Sequence, residues 1–493
     1  MAILEFPGKK VPLDANQQSK LRKTFFPPLM LLDSLNAVCP SRGSGKASDA
    51  PPNPNQSLEE MFHTLVNKLA QICDFEPKGN TITALAILRQ NGRICYVLAS
   101  NRRKTGALRN ARAGLQAVLD ILKSNLEADQ RESDETVERR LLQEILRRNT
   151  VRVRAYLTAL AKELPACIKR CNVTSQEGRR AKEALEKLQS MIPDQSQYGQ
   201  KSDQYINATI QCIRTIEENR NSPLQRFIEA RAVEDDTMAK GGCWSMLQHV
   251  AGRLLSYKYA AQTFVHAHHL WADSDLFRDF DVESLRSSEG YPADALKLNS
   301  ETAEAIINRV PGCAPERVLE YKKHAAELQR SYDVDGMLEQ QWREKKLEPV
   351  VHAEMLLHDW LSRTEGGTQP SRFFQNWQYI GTSKPVCRLC QDYFHVVATP
   401  VRFRSGHPNT YLNWRLPDVY VPDDRDEAAV EAARRAWCEV LGQMKGRVYA
   451  ALVRVLEEKV SDRKPLDSNT FTDRITGIGD PTHLANWLAT VRI

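Results

Sequence analysis

The sequence predicts a mixed α/β protein in which two strand-bearing stretches are separated by a long all-helical one. Three observations predict it. A capped amphipathic helix pattern from Ser57 is followed by two β-rich runs joined at Asn91-Gly92. The stretch 106–230 carries apolar residues at helical spacing between short polar breaks. A second helix and strand pattern, from Val351 to Cys390, carries a His-x-Glu and a Cys-x-x-Cys.

Length and composition set the frame. A chain of 493 residues can bury large cores and suggests two to four domains. Hydrophobic residues at 42% and charged residues at 26% are ordinary for a soluble protein. A formal charge of +6 is mild at this length, so it permits an acidic partner without demanding one. The eleven cysteines are odd in number and scattered, which fits reduced thiols rather than a disulfide framework. The opening MAILEFPGKK does not read as a signal peptide, and no run approaches the roughly 20 apolar residues of a membrane helix. A cytoplasmic or nuclear protein is expected, neither secreted nor in a membrane.

Residues 1–56 divide into a short packed segment, FFPPLMLLDSL, and a Pro-, Ser- and Gly-rich stretch, Pro40 to Ser57, expected to be a flexible linker. Ser57 with Glu60 three residues on is a capping-box signal, and Leu58, Met61, Phe62, Leu65, Leu69 and Ile72 form the apolar face that follows. TITALAIL and RICYVLASN on either side of Asn91-Gly92 predict a hairpin. A basic cluster comes next: Arg102, Arg103, Lys104, Arg109 and Arg112.

The central helices fit a bundle or scaffold without a clean internal repeat. Arg139, Arg140, Arg147, Arg148, Arg152 and Arg154 are expected to form a solvated or partner-facing surface, and Cys167 and Cys171 to pack. His266, His268 and His269 are expected to be a packed or hydrogen-bonded group, since no carboxylate or thiol partner for a metal is evident. A helix over Leu338–Glu348 leads to an extended entry, Leu347 to Val351.

The chemistry concentrates after that entry. EMLLHDWLSR, starting at Glu354, is a helix former that places His352 and Glu354 in its first turn. Two residues span roughly 200° on a helix, so these side chains can address a common ion only off the helix end. Trp377–Ile380 suggests a short buried strand, after which Thr382, Ser383 and Pro385 announce a helix start. Cys387 and Cys390 would share a face of its first turn, where the helix dipole favours thiolate. One imidazole and two thiolates suit a zinc site with one position left for water, and Glu354 suits proton transfer. A structural zinc closed by a fourth Cys or His is the other reading of the same residues.

The HAE of residues 352–354, YIGTSKPVCRLC (Tyr379 to Cys390) and RSGHPNTYLNWRLP (Arg404 to Pro417) resemble a branch of the cytidine deaminase-like superfamily known from bacterial toxin-like proteins and expanded in fungi. In that branch a Gly-x-Ser-Lys run precedes the Cys-x-x-Cys and a His-containing loop leads to Trp-x-x-Pro. Gly381, Ser383, Lys384, His407, Trp414 and Pro417 stand at those places, although Pro408 follows His407 where Gly is expected. The strict match runs from Val351 to Pro417.

The resemblance implies α-β-α layers around a mixed sheet, with a large all-α helical insertion or accessory domain. It divides the chain into an N-terminal segment and linker (1–56), a first part of the deaminase-like domain (57–104), a helical insertion (105–345), a zinc-binding core (346–460) and a tail (461–493). A separate α/β domain over 57–101 is the competing division. The resemblance also implies Zn2+ on His352, Cys387 and Cys390, Glu354 as the catalytic acid-base, and substrate contacts from Asn101, Ser383, Lys384, His407 and Trp414. Arg102, Arg103 and Lys104 are expected to contact phosphate. The expected reaction is hydrolytic deamination of a nucleobase, with cytosine in nucleic acid favoured over a free nucleoside or nucleotide. A retired fold serving as a helical interaction protein is the alternative from another class. Beyond Pro417, Glu427–Val460 reads as a long amphipathic helix covering the sheet.

Overall fold

The computed structural model describes residues 3–39, 56–77, 79–128, 130–194, 203–220, 222–237, 242–291, 300–344 and 347–461. The expected linker, apart from its last residues, and nearly all of the expected C-terminal tail lie outside them. The N-terminal part comprises β1 (Lys9–Val11), α1 (Ala15–Lys20) and α2 (Phe26–Val38), then α3 (Leu58–Ile72), β2 (Thr83–Gln90) and β3 (Arg93–Ser100). Helices α4 (Thr105–Glu127), α5 (Asp134–Arg148), α6 (Thr150–Lys169), α7 (Gln176–Ser190), α8 (Asp203–Glu218), α9 (Pro223–Thr237) and α10 (Cys243–Leu270) follow. After β4 (Phe280–Ser284) come α11 (Ala303–Ile307), α12 (Pro315–Tyr332) and α13 (Val334–Glu344). The last part is α14 (Ala353–Arg363), β5 (Tyr379–Thr382), α15 (Arg388–Val396), β6 (Arg402–Phe403), β7 (Val419–Val421) and α16 (Glu427–Glu458).

Local chemistry explains the main starts and turns. Ser57 caps α3 through the Glu60 amide, and Glu60 returns a bond to the Ser57 amide. Asn91 and Gly92 both take positive φ, as a two-residue hairpin turn requires. Pro27 and Pro28 sit in the first turn of α2, where their missing N–H groups cost nothing.

The main sheet has the order β4-β3-β2-β5-β6. The hairpin β2-β3 is antiparallel, β2 pairs antiparallel with β5, and β3-β4 and β5-β6 are parallel. The hairpin and Tyr379–Thr382 therefore share one sheet although most of the chain separates them. A short pair, β1 with β7, lies apart.

Helices cover both faces of this sheet, and the alternation of side chains along β2 and β3 shows how. Leu85, Ile87, Ile94, Tyr96 and Leu98 point into a core shared with α3 and the central helices. Ala84, Ala86, Leu88, Cys95, Val97 and Ala99 point into a second core, shared with α2, α14, α15 and α16. The strands read as nearly continuous apolar runs because both faces are covered. Gly381 on β5 lets α3 come close: a Cβ there would stand 2.7 Å from the backbone of Val66. Thr382 N–H donates to Asn67 Oδ1 at 3.0 Å across the same contact.

Phe280–Ser284 corrects the reading of that stretch as part of a helical region. It is an edge strand parallel to β3, with alternating burial too short to stand out from the helix before it. The arginine-bearing helices are ion-paired, Arg148 to Glu144 at 2.7 Å and Arg147 to Asp203 at 2.9 Å. His268 bonds the Leu122 carbonyl and His269 bonds Asp134, so these two of the three histidines are held by hydrogen bonds. No helix of the described residues is long and apolar enough to cross a membrane.

Several histidines are buried as neutral rings. His63 stacks on Tyr379 with ring centroids 3.8 Å apart, and burial, with Arg402 adding to it, lowers its pKa to about 3. Glu59, 3.8 Å away, does not offset this. Burial alone lowers His358 to about 4. Both pKa values are depressed on folding, so the stability they contribute is present above the unfolded value near 6.5 and is lost as pH falls toward 4. Chemical denaturation between pH 7 and 4 is expected to show a decline of up to about 1.4 kcal/mol per pH unit for each histidine. His63→Phe should remove its share of that slope, and an unchanged slope would contradict the assignment.

Candidate metal centre

Two helix starts meet at one point. His352 is the N-cap of α14 and Cys387 is the N-cap of α15, with Cys390 in the first turn of that helix. Neither N-cap side chain bonds its own helix, so both face the gap between the two ends. His352 Nδ1 lies 3.6 Å from Cys387 Sγ and 3.3 Å from Cys390 Sγ, and the sulfurs are 3.4 Å apart. A tetrahedral zinc with ordinary bond lengths spaces such atoms by about 3.5–3.8 Å, so the donor set fits the ion closely. Among the described residues, the group of potential ligands has three members, all buried. That number leaves a tetrahedral ion one position for water. The end-on approach expected for His352 and Glu354 holds, because the gap lies off the helix terminus.

The electrostatics are those of a site built for a cation. Burial acts against charge on His352, yet the Cys387 sulfur and Glu354 raise its pKa. Burial pushes the Cys387 thiol up, but hydrogen bonding from Cys390 and the charge of His352 bring it down to about 6. Cys390 is held well above the usual thiol range by burial and by its neighbour's sulfur. Glu354 is buried beside them, its Oε1 4.0 Å from His352 Nδ1. A dication would displace the protons that now balance these sulfurs.

The surrounding residues fall into three groups. Asn101, at the end of the hairpin, accepts from the Ala353 amide at 2.8 Å and donates to the Gly79 carbonyl. It thus caps α14 from outside and positions the start of that helix. Ser383 is likewise engaged, accepting from the Thr83 amide and donating to Asp74, each at 3.1 Å. Trp414 is fully buried, its indole N–H donating to Met355 Sδ at 3.1 Å, and that sulfur lies 3.5 Å from Cys390. Trp414 supports the cysteine from behind and is not a substrate contact.

Lys384 stays half-buried at the site's edge, and its charge helps hold Asp74 ionised. The His407 ring accepts from the Asn409 amide at 3.2 Å and meets Tyr411 edge-on. Tyr411 lies in turn 6.4 Å from the His352 ring, between the loop and the metal ligand. Sequence reasoning passed over both Tyr411 and Met355. An aromatic four residues after His407 was the available signal for the first; nothing marked the second.

The basic cluster requires the clearest correction. Arg103 is buried, stacked over Phe75, and its Nη2 donates to the carbonyls of Cys73 and Thr81. It cannot reach a phosphate. Arg102 is paired with Glu348 at 2.6 Å, and only Lys104 of the three is exposed. A cavity of about 350 Å³ between α3, α4 and α5 contains none of the candidate site residues.

With that geometry in view, one comparison bears on the site. Residues 351–418 match a family model described as "OTT_1508_deam:-like deaminase". The match begins one residue before His352 and ends just past Pro417, so it takes in all three ligand candidates and Glu354. It supports a deaminase domain over that segment. No curated protein and no solved structure matches the chain.

Elemental analysis of the purified full chain is expected to find about one zinc per molecule. His352→Ala, Cys387→Ser and Cys390→Ser should each lose it, since one of only three protein ligands is gone. Full retention of zinc by any of them would show that the metal is held elsewhere.

Proposed function

We propose that the protein is a zinc-dependent hydrolase that deaminates a nucleobase, cytosine in nucleic acid being the favoured substrate. The observation that carries this reading is the meeting of His352, Cys387 and Cys390 with Glu354 beside them. The deaminase match over the same residues supports it.

When bound, zinc supplies a water acidic enough to lose its proton near neutral pH. Glu354 accepts that proton at its carboxylate and delivers it to the ring nitrogen beside the amine-bearing carbon; once the water oxygen has bonded to that carbon, Glu354 takes the remaining O–H proton and passes it to the departing amine. Addition of water and loss of ammonia leave the keto base. His352, Cys387 and Cys390 hold their atoms at the two helix ends, and burial keeps bulk water from the acid-base group. Asn101 fixes the start of α14, and with it the spacing between His352 and Glu354.

Glu354→Gln preserves volume while removing the proton acceptor. Ammonia release from a panel of bases, nucleosides and single and double strands should fall by roughly 10²-fold or more, with zinc content unchanged. Persistent turnover at full zinc occupancy would overturn the role of Glu354. If polynucleotide is the substrate, its binding should weaken steeply as salt rises from about 50 to 200 mM. A flat response would remove polynucleotides from the reading while leaving smaller substrates.

A further inference from the structure

The turn that ends α3 joins the deaminase-like segment to the central helices. Asp74 in that turn accepts from Ser383 Oγ at 3.1 Å and from Thr81 Oγ1 at 2.7 Å, and pairs with Arg152 at 2.6 Å. Ser383 and Lys384 lead directly into Cys387, so the turn lies against the loop that enters the metal centre. On its other side, Gln71 donates to Ser256 Oγ of α10 at 2.7 Å, and Ser256 donates to the Arg253 carbonyl. Residues 249, 253 and 256 share one face of α10, which places Arg253 one turn and His249 two turns back from the Gln71 contact.

Both residues lie on the face of α10 that carries the Gln71 contact. Arg253 is buried, and its charge and that of Lys384 act on His249. Burial and these two cations keep that imidazole neutral, and its Nδ1 is buried without a hydrogen-bond partner among the described residues. Cationic side chains from two distant parts of the sequence therefore act on one imidazole, and one of them, Lys384, also acts on the Asp74 carboxylate, which is bonded to Arg152, Thr81 and Ser383. An oxyanion with several acceptor oxygens is the ligand this arrangement suits. A guanidinium takes two of its oxygens, an ammonium adds point charge, and a neutral imidazole donates one N–H.

We propose that α10 forms one wall of the candidate active site, and that Arg253 and His249, together with Lys384, hold a phosphate of the substrate there. The inference rests on the deaminase reading for the word substrate, and assigns to the central helices part of the binding site itself. It also moves phosphate recognition from the Arg102–Lys104 cluster to α10.

The test is equilibrium binding of the full-length, zinc-loaded Glu354→Gln protein to cytidine, cytidine 5′-monophosphate, a short cytosine-containing single strand and inorganic phosphate. The phosphorylated ligands are expected to bind about tenfold or more tightly than cytidine, the scale of one charge-assisted contact. Arg253→Gln and Lys384→Gln should bring them down to the level of cytidine, and Arg253→Lys should restore part of the difference. Should Arg253→Gln fail to fold, Lys384→Gln in the loop reads the same preference. Comparing mononucleotide with single strand shows which source of phosphate the wall prefers. Equal binding of cytidine and its monophosphate, or a preference that survives both glutamine variants, would overturn the proposal. The two readings fail separately: ammonia release by unsubstituted protein without phosphate preference sinks only the wall, and phosphate preference without ammonia release from any substrate sinks only the deaminase.

Discussion

The structure depends on one geometric constraint: an imidazole nitrogen and two sulfurs, carried by two helices, must lie within a few ångströms of each other. Helix N-termini meet this demand well. They present unpaired N–H groups and a positive dipole end, both of which favour thiolate. The price is precision, because a small rotation of either helix would separate the ligands. The chain meets that need with bonds from far away in sequence. Asn101 grips the first amide of α14, Asn67 grips the amide of Thr382, and Gly381 lets α3 press against β5. Trp414 and Met355 brace Cys390 from the core.

Those contacts explain why the strands surrounding the site come from both sides of a long helical stretch. β2 lies at the centre of the sheet, with its partner β3 on one side and β5 on the other. Closure of the metal centre thus requires chain ends to be brought together across the central helices, at the entropic cost of a long loop. That cost grows slowly with length, and the central helices offset it by packing their own core against α3 and by returning through β4 into the sheet. Their contact with α3 also holds α10 against the end of the helix that packs on β5.

Much of this was legible in the sequence because it follows local rules. The capping box at Ser57, the Asn-Gly turn and the period of the long helices depend on neighbours in the chain, and α16 ends within two residues of its expected bound. The grouping of His352, Cys387 and Cys390 was legible because few residue types can serve as metal ligands. The roles of the residues around it were not. Asn101 and Ser383 hold the site through Ala353, Gly79, Thr83 and Asp74, partners that nothing in the sequence pairs with them. Arg103 was misread because a run of basic residues says nothing about which of them turns inward to satisfy carbonyls. Met355 was passed over because a methionine on an apolar helix face has no signal apart from packing.

The account stands or falls on the coordination sphere. Zinc K-edge X-ray absorption on the full-length protein measures it directly. Two sulfur scatterers at about 2.3 Å and two nitrogen or oxygen scatterers at about 2.0–2.1 Å are expected, one of the latter pair being exchangeable solvent. Three or four sulfurs, or none, would contradict an open centre on His352, Cys387 and Cys390.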